Sequence, residues 1–260
     1  DGNQVLEFFK DQKPDYVFVA AAKVGGIKAN SEFGAQFLYE NLMIQNNIIH
    51  SSHQLNVEKL LFLGSACIYP RDCKQPMLEE YLLNGNLEPT NEGYAIAKIA
   101  GIKLCENYYR QYNDNFISIM PNNLYGPNDN YDLNNSHVLP ALIRKIHEAY
   151  VKNKKEVIVW GSGSPLREFL HVDDLASACI TIMQKVDAMN LYERGISHLN
   201  VGSGSEISIK NLAFLIKKII GYSGKIVFDK SKPDGMPRKF LDSKRVLDIG
   251  WYPKIDLEDG

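Results

Sequence analysis

No stretch of this chain approaches the ~20 consecutive apolar residues that a membrane-spanning helix needs, and no basic segment followed by an apolar one stands near its N-terminus. These two absences argue against a helical membrane protein and against a secreted one, so the expectation is a soluble, cytoplasmic protein. An excess of either charge is lacking too, with 29 Lys and Arg against 31 Asp and Glu and a net charge of −2. Such a surface has no general attraction for nucleic acid or an anionic bilayer, and any anion it binds must be met by local cations. Cysteine is sparse. Cys67, Cys73, Cys105 and Cys179 form no CxxC pair and no zinc-ligand spacing, which fits reduced thiols and predicts no metal site. Internal repeats and low-complexity tracts are also missing.

What is present is a 260-residue chain that is 45% apolar, enough for one large core or two smaller ones. Short apolar runs at 16–20, 59–64 and 116–120 read as buried parallel strands, separated by helical stretches at about 31–53 and 93–112. Strands alternating with long helices describe βαβ units, hence an α/β fold built on a Rossmann-like, doubly wound parallel sheet. After Asn123 the pattern changes. A polar loop at 126–136, a helix at about 137–152, a strand at 156–160, a helix opened by Ser208 and closed by Gly221, and a strand at 225–228 predict a smaller α/β domain. The expected division is 1–125 with 168–202 for a nucleotide-binding domain, and 126–167 with 203–260 for a substrate-binding one. Asp173 and Asp174 read as a helix cap. A doubly wound nucleotide fold opens with a strand, a glycine-rich turn and a helix, and none of these precedes Tyr16. An N-terminal βαβ unit is therefore expected ahead of this numbering, and Ile255–Gly260 looks like the start of a further helix.

Ligands of such sheets sit beyond the carboxyl ends of the strands. Ala20–Ala22, Gly64–Ser65 and Pro121–Asn123 all fall there. On the helix that follows, Tyr94 and Lys98 are four residues apart and share one face. A phenol beside an ammonium is a proton donor and acceptor for carbonyl or carbinol chemistry, with Lys98 expected to draw the Tyr94 pKa down. Ser65 is placed to hold the substrate oxygen. Cys67 lies two residues beyond it.

Set on this α/β pattern, Ser65, Tyr94 and Lys98 resemble the extended short-chain dehydrogenase/reductase superfamily. Closer still, the segments AAAKVGG at 20–26, GSACIYP at 64–70, NLYGP at 123–127, NSHV at 135–138, WGSG at 160–163, REFLHVDD at 167–174 and KPDG at 232–235 resemble the GDP-L-fucose synthase family. The resemblance implies NADPH as hydride donor and a GDP-sugar substrate, with 3,5-epimerisation and then 4-keto reduction of GDP-4-keto-6-deoxy-D-mannose. It implies Cys67 as base and His137 as acid for the carbon centres, Tyr94 as proton donor to the C4 oxygen, and Lys98 on the cofactor ribose. Implied cofactor contacts are Leu63, Gly64, Ser65, Ala66, Lys98, Pro121, Asn122, Asn123, Leu124 and His137. Implied substrate contacts are Lys145, Trp160, Arg167 and Lys239, with Arg167 the best cation for the diphosphate. A homodimer through the helices at 31–53 and 93–113 also follows by analogy.

Each assignment has a plainer rival. Cys67 could be a buried apolar cysteine, His137 a helix-start residue satisfied locally, Lys145 part of a solvated helix face, and Trp160 a core tryptophan. At the level of function the rivals are another nucleotide-sugar reductase or epimerase, such as a UDP-hexose 4-epimerase or a dTDP-4-keto-6-deoxyhexose reductase, and a non-catalytic nucleotide-binding fragment. Cys73, Cys105 and Cys179 are given no role.

Overall fold

The computed structural model describes residues 1–133, 135–232 and 234–260, so Asn134 in the polar loop and Pro233 in the KPDG segment lie outside the described residues. The chain runs α1 (Gly2–Gln12), β1 (Tyr16–Val19), α2 (Ile27–Glu32), α3 (Gly34–Gln54), β2 (Lys59–Leu63), α4 (Glu92–Tyr112), β3 (Phe116–Pro121) and β4 (Asn123–Tyr125). It continues through α5 (Val138–Val151), β5 (Glu156–Trp160), β6 (Leu166–His171), α6 (Val172–Lys185), α7 (Ala188–Tyr192), β7 (Leu199–Val201) and β8 (Glu206–Ser208). The remaining elements are α8 (Ile209–Ile220), β9 (Lys225–Asp229), β10 (Arg238–Lys239) and α9 (Lys244–Asp248).

The strands β1-β2-β3-β7 form a parallel sheet. Alternate residues of β2 and β3 feed two different cores. Leu61, Ile117 and Ile119 pack with α6 and α7 residues such as Leu175, Ile182 and Leu191. Leu60, Phe62, Phe116 and Met120 pack on the other face with Ile49, Ile99 and Ile102 from α3 and α4. Burial on both faces is why these strands read as unbroken apolar runs. β1 departs from that reading. Tyr16 and Phe18 are exposed (52% and 47%) and only Val19 is buried, because β1 pairs with β2 alone among the described residues and one of its faces stays open.

A second group of strands, β10-β6-β4 with β8 antiparallel on β6, stands beside a β5-β9 pair. Their core joins Leu139, Leu142 and Ile146 of α5 to Leu212 and Ile216 of α8, with Val157 and Val159 between. Ser208 caps α8 by accepting from the Asn211 N–H at 3.1 Å, and Gly221 ends it in the left-handed region at φ 76°. Asp173 and Asp174 do sit in the first turn of α6, where the Asp174 carboxylate also accepts from the Lys254 and Ile255 N–H groups. Ile255–Gly260 forms a single turn rather than a helix. No described helix is long and apolar enough to cross a membrane.

Candidate active site

The site grows from the carboxyl end of β2. Gly64 continues β2 alongside β3, its N–H donating to the Ile119 carbonyl at 2.8 Å, and a Cβ there would lie 2.0 Å from Met120 Cε, so the thioether has to move to admit any larger residue. The next residue, Ser65, caps a short 3-10 turn (Ala66–Ile68) by accepting from the Cys67 N–H at 3.4 Å. Cys67 is buried as a result (6% exposed). The Ser65 hydroxyl faces both the Cys67 thiol and the Tyr94 phenol, and favours the deprotonated form of each. Those three groups form one cluster.

α4 delivers Tyr94 and Lys98 from its first turns, as their spacing requires. The Tyr94 ring packs edge-on against Phe37 of α3, centroids 6.4 Å apart. Lys98 is 3% exposed, and its Nζ donates to the Leu63 carbonyl at 2.8 Å while lying 4.7 Å from the Phe62 ring centroid. The expectation that Lys98 lowers the Tyr94 pKa is corrected here. Burial, and then the Cys67 charge, push the phenol well above its ordinary range, with only Ser65 opposing. The ammonium is committed to a strand carbonyl, and burial brings its own pKa down to about 8. Tyr94 therefore holds its proton at neutral pH, the state a donor needs.

For Cys67, burial raises the thiol pKa, while Lys239, Ser65 and Lys98 oppose it in that order. His137 stands at the N-cap of α5 but makes no capping bond. The residue is exposed to solvent, yet protein packed around the imidazole lowers its pKa, with Asp129 opposing and Lys239 reinforcing the shift. The Gly26 N–H donates to the Asn135 carbonyl at 3.0 Å, so the loop ahead of His137 is tied to the glycine turn after β1. That turn is pinned in place by Asn41, which exchanges hydrogen bonds with the Lys23 backbone at 2.9 and 3.0 Å.

The cations expected to hold a substrate lie in the second group of strands. Lys239 of β10 pairs in register with Arg167 of β6. Neither side chain reaches a carboxylate in the described structure. Arg167 donates to the Leu166 carbonyl, and the nearest acid to influence it, Asp234, is held by the Ser162 N–H and hydroxyl at 2.6 and 2.8 Å. Two adjacent cations with no ion pair among the described residues are suited to an anion. Trp160 is 59% exposed at the end of β5, which removes the core reading, and the Lys145 and Lys232 ammoniums lie 5.4 and 5.6 Å from its ring centroid. Arg144 is spent elsewhere, on Glu148 and the Tyr131 carbonyl. Cys105 and Cys179 are buried in the apolar cores, with burial raising both thiols.

The strand-end residues Pro121 to Leu124 lead from β3 into β4, and here the sequence reading missed a group. Glu168 is fully buried and forms no ion pair among the described residues. It accepts from Asn122 Nδ2 at 2.5 Å, the Gly204 N–H at 2.8 Å and the Leu241 N–H at 3.1 Å, while Asn123 donates to its carbonyl at 2.9 Å. The carboxylate thus joins β3, the loop after β7 and the segment after β10. Its one signal was an acidic residue beside Arg167 at the start of the apolar pair Phe169–Leu170.

Residues 1–202 match the profile of the NAD dependent epimerase/dehydratase family. The chain is similar to GDP-L-fucose synthase of Escherichia coli (strain K12), with 56% identity over all of this chain and 82% of that protein. It is also similar to GDP-L-colitose synthase of Yersinia pseudotuberculosis, with 41% identity over 98% of this chain and 82% of that protein. Among solved structures, the NADP-bound GDP-mannoheptose C4 reductase MlghC of Campylobacter jejuni superposes with a TM-score of 0.92. It is 44% identical and covers all of this chain with 83% of its own.

Proposed function

As the chain belongs to the NAD dependent epimerase/dehydratase family, we propose that it converts GDP-4-keto-6-deoxy-D-mannose to GDP-L-fucose, by epimerisation at C3 and C5 followed by reduction at C4. The observation that carries this reading is the cluster of Cys67, Ser65 and Tyr94, in which a thiol suited to carbon acids shares a hydroxyl with a protonated phenol. A C4 ketone acidifies the protons on C3 and C5, so one base and one acid on opposite faces invert both centres. Cys67 takes each proton and His137 returns it to the other face. Ser65 then donates a hydrogen bond to the C4 oxygen, and Tyr94 gives up its proton there.

The hydride comes from NADPH when it is bound. The residues present fit such a cofactor. Lys98 has three N–H donors and, among the described residues, only the Leu63 carbonyl as an acceptor, leaving donors for ribose hydroxyls. Leu63, Gly64, Ser65, Ala66, Pro121, Asn122, Asn123, Leu124 and His137 line the adjoining rim. Arg167 and Lys239 hold the diphosphate, and Trp160 with Lys145 borders the nucleoside end. Tyr39 and Met43, one turn apart on α3, and Ile96 on α4 are exposed (65%, 39% and 43%). This apolar strip supports a homodimer through α3 and α4.

The test is to supply GDP-4-keto-6-deoxy-D-mannose and NADPH in deuterium oxide. Deuterium at C3 and C5 together with NADPH oxidation is expected. Oxidation without deuterium would leave a simple reductase and overturn the epimerase stage.

A further inference from the structure

A buried polar network surrounds Tyr69, and the chemistry above uses none of it. Tyr69 is the residue by which the chain leaves the turn carrying Cys67. Ser65 caps that turn, Ala66–Ile68 form it, and Tyr69 follows in extended conformation. The phenol is 2% exposed, and its hydroxyl meets Asn200 Oδ1 at 2.5 Å and His198 Nε2 at 2.7 Å, on two side chains that are fully buried. Alternation along β7 explains why these two point together. Leu199 and Val201 pack into the core of α6 and α7, so His198 and Asn200 face the other side of the sheet, where Tyr69 lies with Ala66 and Ile68.

The hydrogen bonds of this network run in one direction. Asn200 Nδ2 donates to the Met77 carbonyl at 2.9 Å, which leaves its Oδ1 to accept the phenol proton. With that proton committed, the Tyr69 oxygen accepts from His198, so the imidazole carries its hydrogen on Nε2. Burial keeps the ring neutral, its pKa lowered to about 3, and the bare Nδ1 accepts from the Ser197 hydroxyl at 2.8 Å. Asn200 is itself fixed, its N–H donating to Glu79 Oε1 at 3.2 Å, and Glu79 is ion-paired with Arg245. A phenol held this way has no proton to lend a substrate. What it fixes is the backbone at the exit of the Cys67 turn.

The entrance to the same turn is fixed independently, by the Gly64 N–H on the Ile119 carbonyl and by Lys98 on the Leu63 carbonyl. Ser65 thus keeps its place beside Tyr94 without help from Tyr69, whereas Cys67, inside the turn, depends on both ends. We propose that Tyr69, oriented by His198 and Asn200, is a positioning residue for Cys67, setting the thiol against the substrate carbon in the epimerisation stage and leaving the reduction stage untouched. The inference rests on Cys67 as the base of that stage.

The experiment compares the wild type with Tyr69→Phe, His198→Leu and His198→Gln. Tyr69→Phe and His198→Leu should slow solvent-deuterium entry at C3 and C5 by about 10–10²-fold, while reduction of an already epimerised substrate stays within about twofold of wild type. His198→Gln keeps an N–H donor for the phenol and should follow the wild type. Undiminished exchange in Tyr69→Phe, equal losses in both stages, or a loss in His198→Gln as large as in His198→Leu overturns the proposal. A second arm, free of turnover, follows iodoacetamide alkylation of each cysteine by mass spectrometry. Tyr69→Phe should speed alkylation of Cys67 by about tenfold and leave Cys105 and Cys179, which react only on global opening, at their wild-type rates. An unchanged Cys67, or equal acceleration of all three thiols, also overturns it. Should Tyr69→Phe fail to fold, the two His198 variants carry both arms. A wild type that takes up no deuterium sinks the epimerase reading alone, and the alkylation arm still decides whether Tyr69 orders the turn.

Discussion

Tyr94 and Cys67 share Ser65 but serve different stages, so their substitutions should separate the chemistry. Tyr94→Phe is expected to slow NADPH oxidation by about 10²–10⁴-fold while solvent deuterium still enters C3 and C5. Cys67→Ser should abolish the deuterium and still reduce a substrate that is already epimerised. Product labelling by mass spectrometry checks both. Lys98 supplies a pH signature. Its folded pKa of about 8 lies below the ordinary 10.5, so between these values the unfolded chain binds a proton that the folded chain has released. Stability therefore rises with pH through this window, and is lower where the buried lysine is charged. Urea denaturation at pH 7.5 and 9.5 should show a wild-type gain of about 1–2 kcal/mol relative to Lys98→Met.

At the scale of elements, the close fit of Gly64 against Met120 sets where the Ser65 turn begins. Gly64→Ala should cost about 1–3 kcal/mol through its clash with Met120, and the double variant with Met120→Ala should lose less than the two single losses added together, read by urea midpoints. Elements were also where sequence reading worked best. The Tyr94–Lys98 spacing placed both residues correctly because a helix converts spacing into a shared face. The partner of Lys98 was not legible, since Leu63 is 35 residues away and only strand-on-helix packing brings its carbonyl there. Glu168 escaped for the same reason, its donors coming from three remote segments. Trp160 could not be placed from Val157–Val159, because three apolar residues in a row hide the alternation. The one clue to the open face is Glu156, two steps from Ile158 and four from Trp160, and the structure buries only Val157 and Val159.

Across the whole molecule, the exposed strip of Tyr39, Met43 and Ile96 predicts association. Met43→Glu should shift sedimentation from dimer to monomer at micromolar concentration, and an unchanged dimer would place the interface elsewhere. The chain passes between its two groups of strands repeatedly, from β3 into β4, from β6 into α6, from β7 into β8, and from β10 into α9. The last of these passages carries Val246 and Trp251 into the core that holds Leu61 and Ile117. A structure stitched at so many points resists bending about any single hinge, much as a plank nailed along its length cannot swing like a door. Access for a nucleotide sugar then falls to surface segments such as 126–133 and 234–237, which lie outside the strands and helices.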